Sequence, residues 1–475
     1  MADVDDGTGS ILSASSVPWR DRKRSLWLVA LLMQLLPFAA VGLHAATGSG
    51  WWLWLGPIVI LGVVPRVDLA TGLDRSNPPD DLIAALERDR YYRWLTFAFL
   101  PLQYAGFLTA FAVIAHGDLA TTDRVGLAIT VGFIGGLGIN TAHELGHKKE
   151  SHERWLAKIA LAQTFYGHFF IEHNRGHHVR VATPEDPASA RMGESFYRFW
   201  PRTVLGSLAS AWRLERRRYA RHGTHPVHLG NDVLNSWLMS AALWTAMVLW
   251  LGAGVLPFLA IQAVMGLTLL EAVNYLEHYG MLRQRVGAPG HERYERVAPG
   301  HSWNSNNLAT NVLLYHLQRH SDHHANPTRR YQSLRDYDES PVLPTGYAGM
   351  ILLALVPPAW RRVMDPRVVV HVGGDLSRVN IAPHRRERIL AAYAGIPGRV
   401  DGTPAAGPVS RSHAQPVAGA QRMRCPGCGY EYDELRGDPR EGFPAGTPWL
   451  AVPESWCCPD CGVRDKADFV SQVDA

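Results

Sequence analysis

Three histidine clusters carry most of the chemistry available to this 475-residue chain: His143-Glu-Leu-Gly-His147, His173-Asn-Arg-Gly-His177-His178 and His320-Ser-Asp-His323-His324. Imidazole is the commonest protein ligand for iron, copper and zinc near neutral pH. Residues three or four apart share one face of a helix, so each cluster can aim two or three ring nitrogens at a common point. Eight nitrogens exceed what one ion accommodates, and the simplest reading is a pair of metals. The clusters stand among stretches apolar enough for a bilayer, where a group this costly to bury marks a functional site by default.

A second metal-binding pattern lies at the other end of the chain. All five cysteines follow residue 424, and four of them form two knuckles, Cys425-Pro-Gly-Cys428 and Cys458-Pro-Asp-Cys461. Four thiolates from two such turns make a tetrahedral sulfur site suited to iron or zinc. A structural zinc ribbon uses the same spacing, but Tyr430, Tyr432, Phe443, Trp449, Trp456 and Phe469 are many aromatics for so short a segment and favour iron. Cys457 adjoins the second knuckle without standing at a ligand position and reads as a spare thiol. The rest of the chain has no cysteine and therefore no disulfide, which fits a reducing compartment for the knuckles.

Long apolar runs must position the histidines. Leu26–Ala46, Trp51–Pro65, Trp94–His116, Val125–His143, Leu234–Pro257 and Phe258–Glu271 read as six membrane-spanning helices, given that a bilayer core needs about 20 apolar residues. The expected fold is thus an all-α integral membrane bundle with a small C-terminal metal-knuckle domain. Val342–Trp360 is apolar but rich in proline and glycine, so an interfacial or re-entrant segment is expected there. Basic residues at Arg20–Arg24 and at Arg213, Arg216, Arg217, Arg218 and Arg221 place both termini and every histidine cluster on the cytoplasmic side of the inner membrane. The Met1–Val17 segment is too acidic and polar for a signal peptide, leaving the first span to direct insertion.

Four segments follow from composition: a polar tail over 1–19, a membrane body over 20–397, a Pro/Ala/Gly-rich linker over 398–421 that cannot form a core, and the knuckle domain over 422–475. The knuckle domain has six Lys and Arg against ten Asp and Glu, the remainder forty-one against thirty-three. An acidic domain tethered to a basic body is steered onto it, and the linker raises its local concentration. The Gly132–Gly138 run follows no strand and lies in an apolar span, so it reads as close helix packing and not as a dinucleotide fingerprint. No nucleic-acid partner is expected.

The knuckle segment resembles rubredoxin, a one-iron electron carrier, in Cys-Pro-x-Cys-Gly-Tyr-x-Tyr-Asp, the Gly437-Asp-Pro439 and Gly446-Thr-Pro448 turns, and Trp456. The body resembles the membrane-bound alkane 1-monooxygenases among the histidine-box oxygenases and desaturases. The matching text is Asn140-Thr-Ala-His-Glu-Leu-Gly-His-Lys148, Glu172-His-Asn-Arg-Gly-His-His178, Asn274-Tyr-Leu-Glu-His-Tyr-Gly280 and Leu317-Gln-Arg-His-Ser-Asp-His-His-Ala325, with Ala182-Thr-Pro-Glu-Asp-Pro187 and Ser302-Trp-Asn-Ser305 between them.

The resemblance implies two iron ions held by His143, His147, His173, His177, His178, His278, His320, His323 and His324, and one iron held by Cys425, Cys428, Cys458 and Cys461. His278 enters through the resemblance alone, since it stands by itself after an apolar run. Glu144, Glu172, Asp186, Glu277 and Asp322 lie in or near the boxes and are expected to orient the imidazoles, because ligating histidines usually donate their second N–H to a carboxylate or carbonyl. Function follows as O2-dependent terminal hydroxylation of medium- to long-chain n-alkanes taken from the bilayer. The rubredoxin segment supplies electrons singly, and a separate rubredoxin reductase recharges it from NAD(P)H, since no nucleotide fingerprint is present. The resemblance also puts Ile60 in an apolar tunnel that sets alkane length. A histidine-box desaturase or fatty-acid hydroxylase is the alternative, and a transporter or metal store fits poorly with a fused electron carrier.

Overall fold

The computed structural model describes residues 19–221, 223–289, 292–394, 421–439, 441–454, 456–462 and 464–472. The polar tail up to residue 18 and the linker up to residue 420 lie outside them. Six helices are long and apolar enough to cross a bilayer: α1 (Leu28–Thr47), α2 (Gly50–Thr71), α3 (Arg90–His116), α4 (Thr121–Gly146), then α7 (Asp232–Leu251) and α8 (Ala253–Glu277). Between the two sets run α5 (Ser151–Ala162) and α6 (Phe196–Arg221), long helices that the polar composition of this stretch conceals. The chain is a multi-pass membrane protein.

Local signals fix the ends of these helices. Asp89 caps α3 by accepting from Tyr91 N at 2.9 Å, and Asn231 Oδ1 caps α7 by accepting from Val233 N and Leu234 N, each satisfying backbone donors that have no partner inside the helix. The second span extends past its apolar run to Thr71, which gives it 22 residues and the length to cross. The sixth runs on from Glu271 to Glu277, so Asn274 and Glu277 lie on the helix and His278 forms its C-cap.

The bundle is organised around α4. In its most apolar window 83% of residues are buried, against 22–44% in the other five spans. It packs along α8 and also touches α2, α3 and α5. The approach to α8 is close: a Cβ on Gly132 would lie 2.6 Å from Met265 Cβ and 2.8 Å from the Gln262 carbonyl oxygen. The Gly132–Gly138 run is therefore a packing surface. Small residues let backbones approach where lipid offers no hydrophobic drive to association.

After α8 come a two-stranded ribbon, β1 (Arg285–Val286) with β2 (Arg293–Tyr294), and then α9 (His320–Ala325). The Val342–Trp360 stretch does not span. It folds as α10 (Tyr347–Ala354) and the start of α11 (Pro357–His371), burying Tyr347, Met350 and Trp360 against Tyr275 and Tyr279 at the end of α8. The C-terminal domain is a three-stranded antiparallel sheet, with β3 (Arg422–Arg424) between β4 (Glu431–Asp433) and β5 (Val470–Ser471). Its core is the aromatic set Tyr432, Phe443, Trp449, Trp456 and Phe469.

Gly132→Val should lower the stability of the detergent-solubilised protein by about 1–3 kcal/mol through overpacking against Met265 and the α8 backbone. A thermal melt should show the drop; an unchanged midpoint would mean that α4 and α8 are not in this contact.

Candidate metal centre

Helices α4 and α8 bring their C-terminal ends to one end of the bundle, carrying His143, His147 and His278 there. The negative end of each helix dipole favours a cation at that point. Between α5 and α6 the chain forms a π-helical turn, Glu172–His177, that carries His173 and His177 and hands on to His178. Winding matters here. In an α-helix residues five apart point about 140° away from each other, whereas i→i+5 bonding stacks them one turn apart. The π-turn therefore lets His173 and His178 face the same point. The short helix α9 supplies His320, His323 and His324.

The nine histidines separate into two groups. His143, His147, His173, His178 and His323 form one, and His177, His278, His320 and His324 the other; within each, the ligand nitrogens lie within 4.8 Å of one another. In the first, His143 and His323 Nε2 are 2.9 Å apart, and His178 Nε2 is 3.1 Å from both His173 and His323 Nε2. In the second, His320 Nε2 is 3.2 Å from His278 Nε2 and 2.9 Å from His324 Nε2. His147 and His177 also present a buried Nε2 without a hydrogen-bond partner. Consecutive residues divide between the groups twice, His177 from His178 and His323 from His324. The rings of His178 and His324 lie 4.4 Å apart across the divide.

All nine rings are buried. Burial first, and crowding by the other imidazoles second, hold His147, His173, His178, His278, His320, His323 and His324 well below the usual imidazole range. They are neutral at physiological pH, with lone pairs that converge. Five or four imidazole nitrogens around one point suit a divalent transition metal, and the donor set fits iron.

The five acids expected to steer the rings behave differently from one another. Asp186 does so: its Oδ2 lies 2.9 Å from His177 Nδ1, and Ser189 Oγ donates to the same oxygen at 2.6 Å. Burial alone would raise the Asp186 carboxyl, but the His177 ring and the Ser189 hydroxyl hold it below the usual carboxylate range. Glu277 lies on the metal-facing side instead, with Oε2 3.1 Å from His320 Nε2 while Oε1 accepts from the Tyr347 hydroxyl at 2.8 Å. The other three pair with cations. Glu144 meets Lys148 at 2.9 Å, Glu172 meets Arg180 at 2.8 Å, and Asp322 takes Arg329, Tyr337 and Asn326. Burial pushes the Glu172 carboxyl up to about 8 against the pull of Arg180. Glu144 and Asp322 are buried rather than surface charges, and with Glu172 they brace the histidine-bearing segments without touching a ring nitrogen.

Ile60 lies on a second π-helical turn, Ile58–Val63 in α2. It is half-buried and packs against two buried clusters, one that includes Ile134 and Leu137 of α4, on the run leading to His143, and one made of Val64, Leu313 and Ala348.

In the C-terminal domain Cys425, Cys428, Cys458 and Cys461 converge with sulfurs within 4.8 Å, the Cys425–Cys461 and Cys428–Cys458 pairs at 3.9 and 3.5 Å. A tetrahedral ion at about 2.3 Å from each sulfur requires edges of about 3.8 Å, so the set fits. Matching backbone bonds shape the two knuckles: Cys425 N donates to Tyr430 O and Gly429 N to Cys425 O, while Cys458 N donates to Arg464 O and Gly462 N to Cys458 O. Cys457 is directed elsewhere, its Sγ donating to Asp465 Oδ1 at 3.2 Å. Burial and that carboxylate push its thiol up, and a protonated thiol is a poor ligand.

This domain sits on the histidine end of the body. Glu441 pairs with Arg175 at 2.5 Å and accepts from Arg221 through its carbonyl, Asp465 and Asp468 meet Arg293 and Arg296, and Lys149 reaches the Cys428 carbonyl. Gly462, at φ +66°, comes so close that a Cβ there would lie 2.7 Å from the Asn174 carbonyl oxygen and 3.5 Å from His178 Cβ. Net charge pointed to this attraction, but it could not single out Glu441 or Arg175, because pairing across a domain boundary leaves no local pattern.

Apolar helices ending in two buried histidine groups, with a four-cysteine domain docked beside them, define a membrane histidine-box metalloprotein. Residues 124–354 match the family model described as Fatty acid desaturase, and residues 422–469 that of Rubredoxin. The chain is 45% identical to Alkane 1-monooxygenase 1 of Alcanivorax borkumensis over 77% of its length and 90% of that protein. It is 42% identical to Alkane 1-monooxygenase of Pseudomonas putida over 83% and 98%, and 45% identical to that of Acinetobacter baylyi over 82% and 96%. The chain belongs to the alkane 1-monooxygenase family, and its C-terminal domain is a rubredoxin domain.

Three substitutions test the ligand sets. His278→Ala removes a member of the four-histidine group only, so metal analysis of the iron-loaded protein should show one iron lost per chain; an unchanged content would remove His278 from the site. Cys457→Ser should leave the visible absorption of the cysteine-bound iron intact, whereas Cys458→Ser should abolish it. Loss of the band in both would make Cys457 a ligand.

Proposed function

We propose that this protein hydroxylates the terminal methyl of medium- to long-chain n-alkanes with O2, at two irons held by the two histidine groups, using electrons from its own rubredoxin domain. The observation that carries the reading is the placement of Gly462, one residue after Cys461, against His178 of the five-histidine group. A carrier whose ligand loop abuts a metal-binding imidazole is set to deliver electrons to that metal.

Each turnover takes one alkane, one O2, two electrons and two protons, and yields a 1-alkanol and water. When bound, the two irons activate O2 for attack on an unactivated C–H bond. The chain's own residues do the rest. His143, His147, His173, His178 and His323 would hold one iron, and His177, His278, His320 and His324 the other. Asp186 fixes the His177 ring through Nδ1, so that Nε2 is presented to the metal. The apolar walls of α2 and α4 suit a substrate with no charge or dipole to grip, for which shape alone selects the chain end. The four cysteines would hold the third iron, and a separate NAD(P)H-dependent rubredoxin reductase would recharge it.

Orientation follows the positive-inside rule: the arginines of α6 and the docked knuckle domain lie at the histidine end, which faces the cytoplasm, with the protein in the inner membrane. The match to the Fatty acid desaturase model keeps a second reading in view, action on an acyl chain with a polar head. Incubation of the purified protein and a reductase with octane and, separately, with an acyl lipid distinguishes them: 1-octanol supports alkane hydroxylation, and modified acyl chain with untouched octane would overturn it.

Ile60 offers a finer test. If it walls the alkane path beside Ile134 and Leu137, Ile60→Trp shortens that path. Turnover of hexadecane should fall about tenfold or more relative to octane, the scale set by steric discrimination in an apolar pocket. An equal change for both alkanes would take Ile60 out of the path.

A further inference from the structure

The two knuckles of the rubredoxin domain face different surroundings. The second lies against the body, with Gly462 on Asn174 and His178, and with Pro459 and Asp460 bordering the same crevice as His147 and Lys148. At the first knuckle the tip residues Pro426 and Gly427 are exposed, and Lys149 reaches only the carbonyl of Cys428 at its base. The surroundings of that tip belong to the domain itself. A Cβ on Gly427 would find its three nearest atoms on Arg464, with Nε at 3.1 Å, and one on Gly429 would find them on the Arg424 guanidinium, with the first at 3.4 Å. Arg424 is exposed, and Arg464 Nε is buried without a hydrogen-bond partner. Among the described residues no carboxylate pairs with either. A domain that is acidic as a whole thus shows a cationic rim at the one knuckle its body leaves open.

We propose that the domain is recharged while docked: electrons enter through the first knuckle, from a protein donor whose contact surface is acidic, and leave through the second toward His178. This rests on the one-iron carrier reading given above. In the entry step the reduced donor, the reductase proposed above, gives one electron and the cysteine-bound iron passes from ferric to ferrous; no bond forms or breaks. Charge complementarity at a rim governs encounter rates and their salt dependence more than it governs packing, so Arg424 and Arg464 act by positioning the donor.

The test uses the full chain in nanodiscs with an NAD(P)H-driven rubredoxin reductase, following bleaching of the visible iron band and, separately, equilibrium binding of the reductase across a salt series. Arg424→Glu with Arg464→Glu should slow reductase-driven bleaching about tenfold at low salt, weaken reductase binding and flatten its salt dependence. Bleaching by dithionite should not change, which controls for folding of the domain. Glu441→Arg, which loosens docking, should slow hydroxylation yet leave reductase-driven bleaching within twofold of the parent. An unchanged bleaching rate in the double variant, or a severalfold faster one in Glu441→Arg, would overturn the inference; the second result would mean that the donor uses the face that docking hides. A protein colourless from the outset would overturn the carrier reading itself, and the inference with it.

Discussion

Nine buried imidazoles aimed at two points are the constraint on which the rest of the molecule depends. Ring nitrogens 2.9–3.2 Å apart can share a proton in pairs, but five around one centre cannot all be satisfied that way. A buried polar group left unpaired costs about 1–3 kcal/mol. A cation between them converts that penalty into binding energy. The scaffold must therefore hold the rings in place independently of one another. It does so with buried contacts between a carboxyl and a basic side chain, Glu144 with Lys148, Glu172 with Arg180 and Asp322 with Arg329, set behind the histidine segments where they fix backbone and leave the ring nitrogens free.

The same constraint explains two irregular features. Small residues along α4 bring it against α8 closely enough for both C-terminal ends to reach the site. The π-turn at Glu172–His177 brings His173 and His178, five residues apart, into one group, which regular winding would not. Such a turn is an uncommon conformation, held here by a surrounding structure that over-determines it.

Much of this was legible in the residues. Six spans, their order and the histidine spacing follow from hydropathy and from the period of a helix, and the cysteine knuckles from their pattern. Three things were not. His278 carries no spacing signal, because its partners come from α9 and the π-turn, far away in sequence. The division into five and four depends on which way His177 and His178 point, and that depends on local winding. The five acids form one class by proximity in sequence alone. Proximity in sequence cannot separate Asp186, which bends back to His177, from Glu144 or Asp322, which face arginine and lysine instead.

Docking adds a second dependency. Glu441 with the Arg175 and Arg221 guanidiniums, and Asp465 and Asp468 with Arg293 and Arg296, hold the rubredoxin domain where its second knuckle meets the histidine end, so a charged interface joins the cysteine set to the two histidine groups. The most direct test of the account is X-ray absorption at the iron edge of the iron-loaded full chain, combined with metal analysis. The account predicts three irons per chain, two in nitrogen-dominated shells and one in a shell of four sulfurs. A single iron in the body, or a body iron ligated mainly by carboxylate or sulfur, would contradict it.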